Sequence, residues 1–464
     1  MSHRLRADSS PRSLLEPARV LTQAEAESLA RRIVGFSQAD SCRVSLQSSA
    51  RGNTRFAVNQ VSTSGDNEDV NVRVRVSVGR KVGAATTNRL DDEGLRQVVQ
   101  IAERIARLQP DDPELMPELA AQQYTAVDAF HPGTAAAEPA QRAEIVRKVT
   151  DASRAAGLSS TGYLEVVTSA SAIANSAGLF AYHRSTDCAF TTTVRTTDGA
   201  GSGWAGAAAR DIGTIDGAAL AATAIDKAQR SVNAVAVEPG RYTVVLEPTA
   251  VGNLVQLLAF ATNARQADEG RSFFSKPGGG TKIGMKVVDE RVNLISDPQH
   301  PIAPGIPFDG DGLPTRKVDW IENGVVRELS YDRYWAQKTN HAPVILPGAL
   351  QMAGGSQSVA DMIASTERGI LVTRFWYIRP VDPRTILYTG LTRDGTFLIE
   401  RGKVTRAIKN LRFNESPVFL LNNIEALGLP QRVSASESGS AGVPIVVPAI
   451  KARDFMFTSL SDAV

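Results

Sequence analysis

The run 71–78, NVRVRVSV, puts Val72, Val74, Val76 and Val78 on one side of an extended chain and polar residues on the other. Successive side chains of a strand point to opposite faces, so one face of this strand is core and the other is not. Just upstream, Arg43–Ser48 and Thr54–Ser62 also read as strands. Before them, residues 22–36 (TQAEAESLARRIVGF) place Leu29, Ile33 and Val34 on one helical face. Downstream, Leu95, Val98, Val99, Ala102, Ile105 and Ala106 define an amphipathic helix behind the capping-type residues Asp91 and Asp92. The unit reads helix, strands, helix.

The same order recurs after the Pro/Asp-rich stretch 109–138. Ile145, Val146 and Val149 fall at helical spacing, Tyr163–Thr168, Gly178–Arg184 and Cys188–Thr197 read as strands, 199–209 as a Gly/Ala loop, and 216–230 as a closing helix. Asn59 and Val61 of the first copy match Asn175 and its followers in the second. A break comes at Glu238-Pro239-Gly240, after which strand-like runs dominate: Arg241–Leu246, Val287–Leu294, Arg316–Glu322, Gly324–Ser330, Gly369–Ile378, Ile386–Leu391, Thr396–Glu400, Lys403–Ile408 and Pro417–Leu421. Helical patterns there are 251–266 and the shorter Val359–Ser365. The expected fold class is α+β, with a flexible N-terminus 1–20 and a duplicated helix–strands–helix domain over 21–238 (copies 22–108 and 139–230). A largely antiparallel β domain follows over 239–464, in which 434–444 is small, polar and expected to be mobile.

Composition excludes several function classes. With 51 Lys+Arg against 49 Asp+Glu, the net charge of +2 over 464 residues gives no field for nucleic acid or anionic lipid. No apolar run reaches the length of a membrane span, and residues 1–20 lack the apolar core of a secretory signal, so a cytoplasmic protein is expected. Cys42 and Cys188 are too few for a disulfide framework. The five histidines, His3, His131, His183, His300 and His341, include no pair on adjacent helical turns, the spacing zinc hydrolases use. Gly278-Gly279-Gly280-Thr281-Lys282 lacks the order of a phosphate-binding loop, and neither a GxSxG elbow nor a dinucleotide fingerprint occurs.

The segments VVLEP (244–248), PFDGDGLPTRK (307–317), GILVTRFWYIRPVDPRT (369–385), TGLTRDGTFLIERGK (389–403) and VPAIKARDF (447–455) resemble the TldD/PmbA peptidase family, also called modulators of DNA gyrase. The resemblance runs over nearly the whole chain and implies the same duplicated N-terminal region and β-rich C-terminal domain. In that family one subunit type carries HExxxH after the VVL strand, with a later cysteine completing a zinc site; its partner shares the fold and lacks the motif. Here the six motif positions fall on Gln256-Leu257-Leu258-Ala259-Phe260-Ala261, and no cysteine follows Cys188. Gln256 and Ala261 stand where imidazoles are required, and Leu257 stands where a carboxylate would take a proton from metal-bound water. The resemblance therefore implies a PmbA (TldE)-type subunit with no catalytic residue and no metal of its own. It would pair with a zinc-bearing TldD-type chain, and the assembled complex would cleave small or unfolded peptides, leader segments included.

Peptides in narrow channels are held main chain to main chain, so channel candidates are strand and glycine segments. Thr389, Gly390, Arg393 and Asp394 form one, with Arg393 suited to a peptide carboxylate; the alternative is a hairpin turn in which Arg393 and Asp394 satisfy each other. Gly354 and Gly355 form a second, since paired glycines admit another backbone, unless they are a plain loop. Phe308 and Asp309 open a turn expected near the substrate edge; a calcium loop is excluded because Leu313 and Trp320 occupy ligand positions five and twelve. His300 reads as a surface-loop histidine and Asp268-Glu269 as a solvated helix end. Two other functions stay open: a freestanding homodimer that captures peptides, and a metal-independent amidohydrolase using Cys188 with His183.

Overall fold

The computed structural model describes residues 19–346, 348–434 and 444–461. The expected flexible terminus therefore lies outside the described residues except for Arg19 and Val20, and Arg19 N–H donates to Glu68 Oε1 at 3.1 Å. The segment 434–444 likewise lies outside them except at its two ends.

The first unit runs α1 (Gln23–Phe36), β1 (Ser41–Ala57), β2 (Gln60–Val78), β3 (Lys81–Thr87) and α2 (Asp92–Leu108). After the short α3 (Pro132–Ala135), the second runs α4 (Pro139–Ala155), β4 (Ser159–Asn175), β5 (Phe180–Arg195), β6 (Ser202–Ala209) and α5 (Gly217–Arg230). Each is helix, three strands, helix, and the two share one antiparallel sheet in the order β3-β2-β1-β4-β5-β6. Their first strands meet at its centre, Arg43–Phe56 against Gly162–Asn175. Asn59 and Asn175 stand at the first hairpin of their respective units: Asn59, at φ +59°, donates to Leu158 O, and Asn175 Oδ1 accepts from the N–H groups of Ala177 and Leu179.

Alternation decides which face of this sheet is covered. Val72, Val74 and Val76 pack with Cys42, Val44 and Leu46 under α1 and α2, and Phe56, Leu164, Val166, Cys188 and Phe190 pack under α4 and α5. All four long helices thus lie on one face. The expected strand Thr54–Ser62 is split by a turn: Thr54–Ala57 ends β1, Gln60–Ser62 opens β2, and Val58 and Asn59 between them have positive φ. The third strand of each unit was read as loop. β3 pairs with β2 only over Val72–Val78, so the outer edge of Gln60–Asn71 has no neighbouring strand among the described residues.

The C-terminal region starts with β7 (Gly240–Leu246), α6 (Pro248–Phe260), α7 (Ala264–Asp268), β8 (Leu294–Ser296), β9 (Val318–Glu322) and β10 (Val325–Val326). Next come α8 (Arg333–Lys338), β11 (Leu350–Met352), α9 (Val359–Ala364), β12 (Arg368–Asp382), β13 (Leu387–Glu400), β14 (Lys403–Ala407) and β15 (Leu411–Glu415). It ends with α10 (Pro417–Asn422), β16 (Ile424–Leu427), β17 (Gln431–Val433), β18 (Ile445–Val447) and β19 (Ile450–Leu460). A six-stranded sheet takes the order β10-β9-β8-β11-β18-β17. The other takes β12-β7-β19-β15-β13-β14, and an additional β12–β13 pairing closes five of its strands into a ring around Phe375, Phe413, Phe455 and Phe457. Pairing is antiparallel except for β7–β12 and β11–β18.

Several expected elements differ. Pro417–Leu421 is helix, not strand: Ser416 caps it and Pro417 takes the first turn, where a missing N–H costs nothing. Of Val287–Leu294 only Leu294 joins a strand, and of Gly324–Ser330 only Val325–Val326 do. Leu387–Leu391 of the first run and Thr396–Glu400 belong to one strand, β13, kinked by a bulge at Asp394-Gly395 with both residues at positive φ. The described residues contain no helix long and apolar enough to cross a membrane.

Candidate functional site

The site expected from the resemblance lies on α6. Val244, Val245 and Leu246 of β7 are fully buried and deliver the chain to Glu247, where Pro248 opens the helix. Glu247 is held by Lys227 Nζ of α5 at 2.7 Å, so the helix start is tied to the second N-terminal unit. Ala250, Val251, Leu254, Val255 and Leu258 are all fully buried, an apolar surface wide enough for a core helix.

The six positions of interest lie on the last turns of this helix. Leu258 and Ala259 are buried, Gln256, Leu257 and Ala261 are half-buried, and Phe260 is exposed. Leu257 and Ala261 pack against the main core, and Gln256 Nε2 donates to Asn253 O at 3.5 Å. A zinc ion does not fit this donor set: one neutral amide and two hydrocarbon side chains supply neither the imidazoles nor the carboxylate such a centre uses. Among the described residues, no three His, Cys, Asp or Glu side chains are grouped closely enough to hold a metal.

The other expected residues fall in different surroundings. Thr389 and Gly390 lie within β13, paired to β15 at Asn414 and Phe413 and, for Thr389, to Arg379 of β12. Both edges of the strand thus face neighbouring strands of the sheet and not an open groove. Gly390 is where it is because a Cβ would meet the Phe413 ring at 2.7 Å. Asp394, with its side chain 2% exposed, accepts from Ser202 Oγ at 2.6 Å and from Arg374 Nε at 3.2 Å, while Arg393 Nε stands 3.6 Å away. Arg374 holds its carboxyl below the usual carboxylate range against the cost of burial. The expected alternative of a hairpin turn is not what forms; this is a bulge pinned to β6.

Sequence reasoning missed Arg374, whose guanidinium lies over Trp204 and Trp376 at 5.1 Å each, with Arg393 also over Trp376 at 5.0 Å. Lys227 was missed too. The available signals were an arginine inside an apolar strand and a lysine on the buried face of an Ala-rich helix.

Gly354 and Gly355 lie against the chain's own backbone: a Cβ would come within 2.3 Å of Gly428 O and 2.5 Å of Leu427 O. Phe308 packs with Ile173, Leu179 and Ala181 of the N-terminal sheet, edge-on to Tyr124 at 5.7 Å. Asp309 Oδ1 accepts from the N–H groups of Asp311 and Leu313, and burial raises its carboxyl. Arg43, itself buried, bonds Gly310 O and pairs with Asp311 and Glu118, which fastens this turn to the first unit.

Cys188 and His183 lie on the same strand, five residues apart, and therefore point to opposite faces of the sheet. Burial pushes the Cys188 thiol up to about 12 and the His183 imidazole down to about 4. A thiol–imidazole pair does not form. His300 is half-buried in a loop, and burial lowers its imidazole as well. Asp268 does not end in solvent: its Oδ2 accepts from Trp335 Nε1 at 2.7 Å.

Comparison with known proteins gives three family models in chain order. They are the PmbA/TldA metallopeptidase domain 1 over residues 42–106, the central domain over 133–232 and the C-terminal domain over 239–459. A metalloprotease of Methanothermobacter thermautotrophicus is 22% identical over 253 residues, 50% of this chain and 53% of its own. A metalloprotease of Archaeoglobus fulgidus is 25% identical over 208 residues, 44% of each chain. The matches thus span about half the length of these curated relatives. The crystal structure of TldE from Thermococcus kodakarensis shares the fold, with a TM-score of 0.82 at 18% identity over 93% of this chain and 99% of that one. With its three domains matched in order, this chain belongs to the PmbA/TldD metallopeptidase family.

Proposed function

We propose that this chain is the non-catalytic, TldE-type subunit of a heteromeric cytoplasmic zinc metallopeptidase that acts on small or unfolded peptides. A TldD-type partner carrying HExxxH holds the zinc, and this chain contributes the matching fold and part of the peptide channel. The observation that carries the reading is the state of α6, the helix on which the resemblance would place the metal motif: Leu257 and Ala261 pack against the main core and Gln256 bonds Asn253 O. The fold shared with a protein called TldE supports it.

The competing amidohydrolase loses its basis with Cys188 buried and turned away from His183. The peptide-capturing homodimer is the remaining rival. Native affinity purification of this chain from its own cells, with mass spectrometry and zinc analysis, separates them. The expected eluate contains an HExxxH chain of similar size and about one zinc per pair. A chain that elutes alone, metal-free and still binds peptides overturns the proposal in favour of the homodimer; hydrolysis by the isolated chain in the presence of a chelator overturns both.

A further inference from the structure

A cavity of about 180 Å3 opens beside β8 and β9, and neither α6 nor β13 lines it. Its walls are Phe308, Val318, Trp320, Val344 and Ala349, each 8% exposed or less. Two of the side-chain donors at its surface are already used within the chain: Trp320 Nε1 donates to Ser296 Oγ at 2.9 Å, and Thr315 Oγ1 donates to Ile306 O at 2.6 Å. What the buried walls offer is mostly hydrocarbon. The lining residues that reach solvent mark the mouth: Ile306 and Leu346 are about half exposed, and Arg316 beside them is exposed. Among the described residues Arg316 has no carboxylate partner.

Size and chemistry together select an occupant. Apolar cavities of roughly 150 Å3 stay dry and take up benzene, because water finds too few polar partners inside. A space slightly larger than that admits a leucine or phenylalanine side chain. An unpaired guanidinium at the rim adds a carboxylate to the requirement, since it binds one through two parallel N–H donors.

We propose that this cavity is a binding site for the C-terminal apolar residue of a peptide, with its leucine- or phenylalanine-sized side chain inside and its carboxylate on Arg316. This goes beyond the silent-subunit reading and needs no partner chain. Such a site would hold a peptide by its end, without regard to the residues before it.

The test is a titration of the full chain with N-acetyl-phenylalanine, followed by tryptophan fluorescence because Trp320 forms a wall. Saturable binding is expected, with N-acetyl-alanine weaker by on the order of tenfold or more for want of a side chain to bury. The phenylalanine amide is expected to be weaker by roughly tenfold for want of the charge. Ala349→Phe fills the cavity and abolishes binding. Arg316→Gln, at an exposed position where folding is not at stake, reduces the acid to the affinity of its amide. No saturable binding, equal affinity for the phenylalanine and alanine ligands, or an unchanged affinity in Arg316→Gln each overturns the proposal.

Discussion

His183 is 7% exposed, and among the described residues its Nε2 has no hydrogen-bond partner. Burial lowers its imidazole from 6.5 to about 4, so the folded chain keeps it neutral at pH values where the unfolded chain protonates it. The unfolded state then binds the extra proton, and stability present in full above pH 6.5 is lost as pH falls toward 4. Between pH 7 and pH 5 this one residue removes about 2 kcal/mol. Urea midpoints measured at the two values should show that decline, and His183→Gln should flatten it; an unchanged slope in the variant would mean that the ring is solvated. The sequence could not reveal this, because it did not show that residues 183 and 188 share a strand. Read as neighbours on separate strands, they looked like a reactive pair.

At the scale of elements, what was legible followed periodicity, and what was not followed composition. β2 shows its alternation openly, and α2 shows its apolar face with an Asp91 cap to start it. The third strands, KVGAATT and SGWAGAAA, look like loops because small residues are poor strand formers. Their smallness has a reason that lies across the sheet: a Cβ on Gly83 would meet Ala102 O of α2 at 2.1 Å, and one on Gly203 would meet Ala224 O of α5 at 2.2 Å. Both units bring the closing helix down onto a glycine, a correspondence that only the folded chain displays. The helix α6 was legible because it follows an apolar strand and carries its own apolar spacing; the packing of its last turn was not, since it depends on residues far away in sequence. Gly354 and Gly355 show the same limit. Gly354→Ala should destabilise the chain by about 1–3 kcal/mol through overpacking against Gly428 O. Chemical denaturation checks it, and an unaltered midpoint would show that the glycine is kept for something other than this contact.

Across the whole molecule, a few charged groups hold the N-terminal sheet to the C-terminal region. Arg432 pairs with Asp187, Lys227 with Glu247, and Asp394 with Ser202 and Arg374. Arg43 is the most enclosed, its side chain 7% exposed between Asp311 and a Glu118 that is 5% exposed. Removing it leaves Glu118 facing Arg75 at 3.6 Å, too far for a well-made buried pair. Arg43→Ala should therefore cost about 3 kcal/mol. It should also separate the unfolding transitions seen by circular dichroism and by tryptophan fluorescence, because three of the four tryptophans lie beyond residue 239. A loss under about 0.5 kcal/mol would mean that the pair is solvated and idle. Separate regions were legible from the break at Glu238-Pro239-Gly240; their joining was not, since Arg432 with Asp187, Asp394 with Ser202 and Arg43 with Asp311 join residues 245, 192 and 268 positions apart. The outer edge of β2 over residues 60–71, with no neighbouring strand among the described residues, bears on how copies of the protein treat one another. The outward N–H and C=O groups of such an edge would stitch to any identical edge that came close. Asp69, exposed on that edge, sets like charge against like when two copies meet there. Its influence falls on crowding more than on folding, and it weakens as salt shortens the reach of charge below roughly 8 Å.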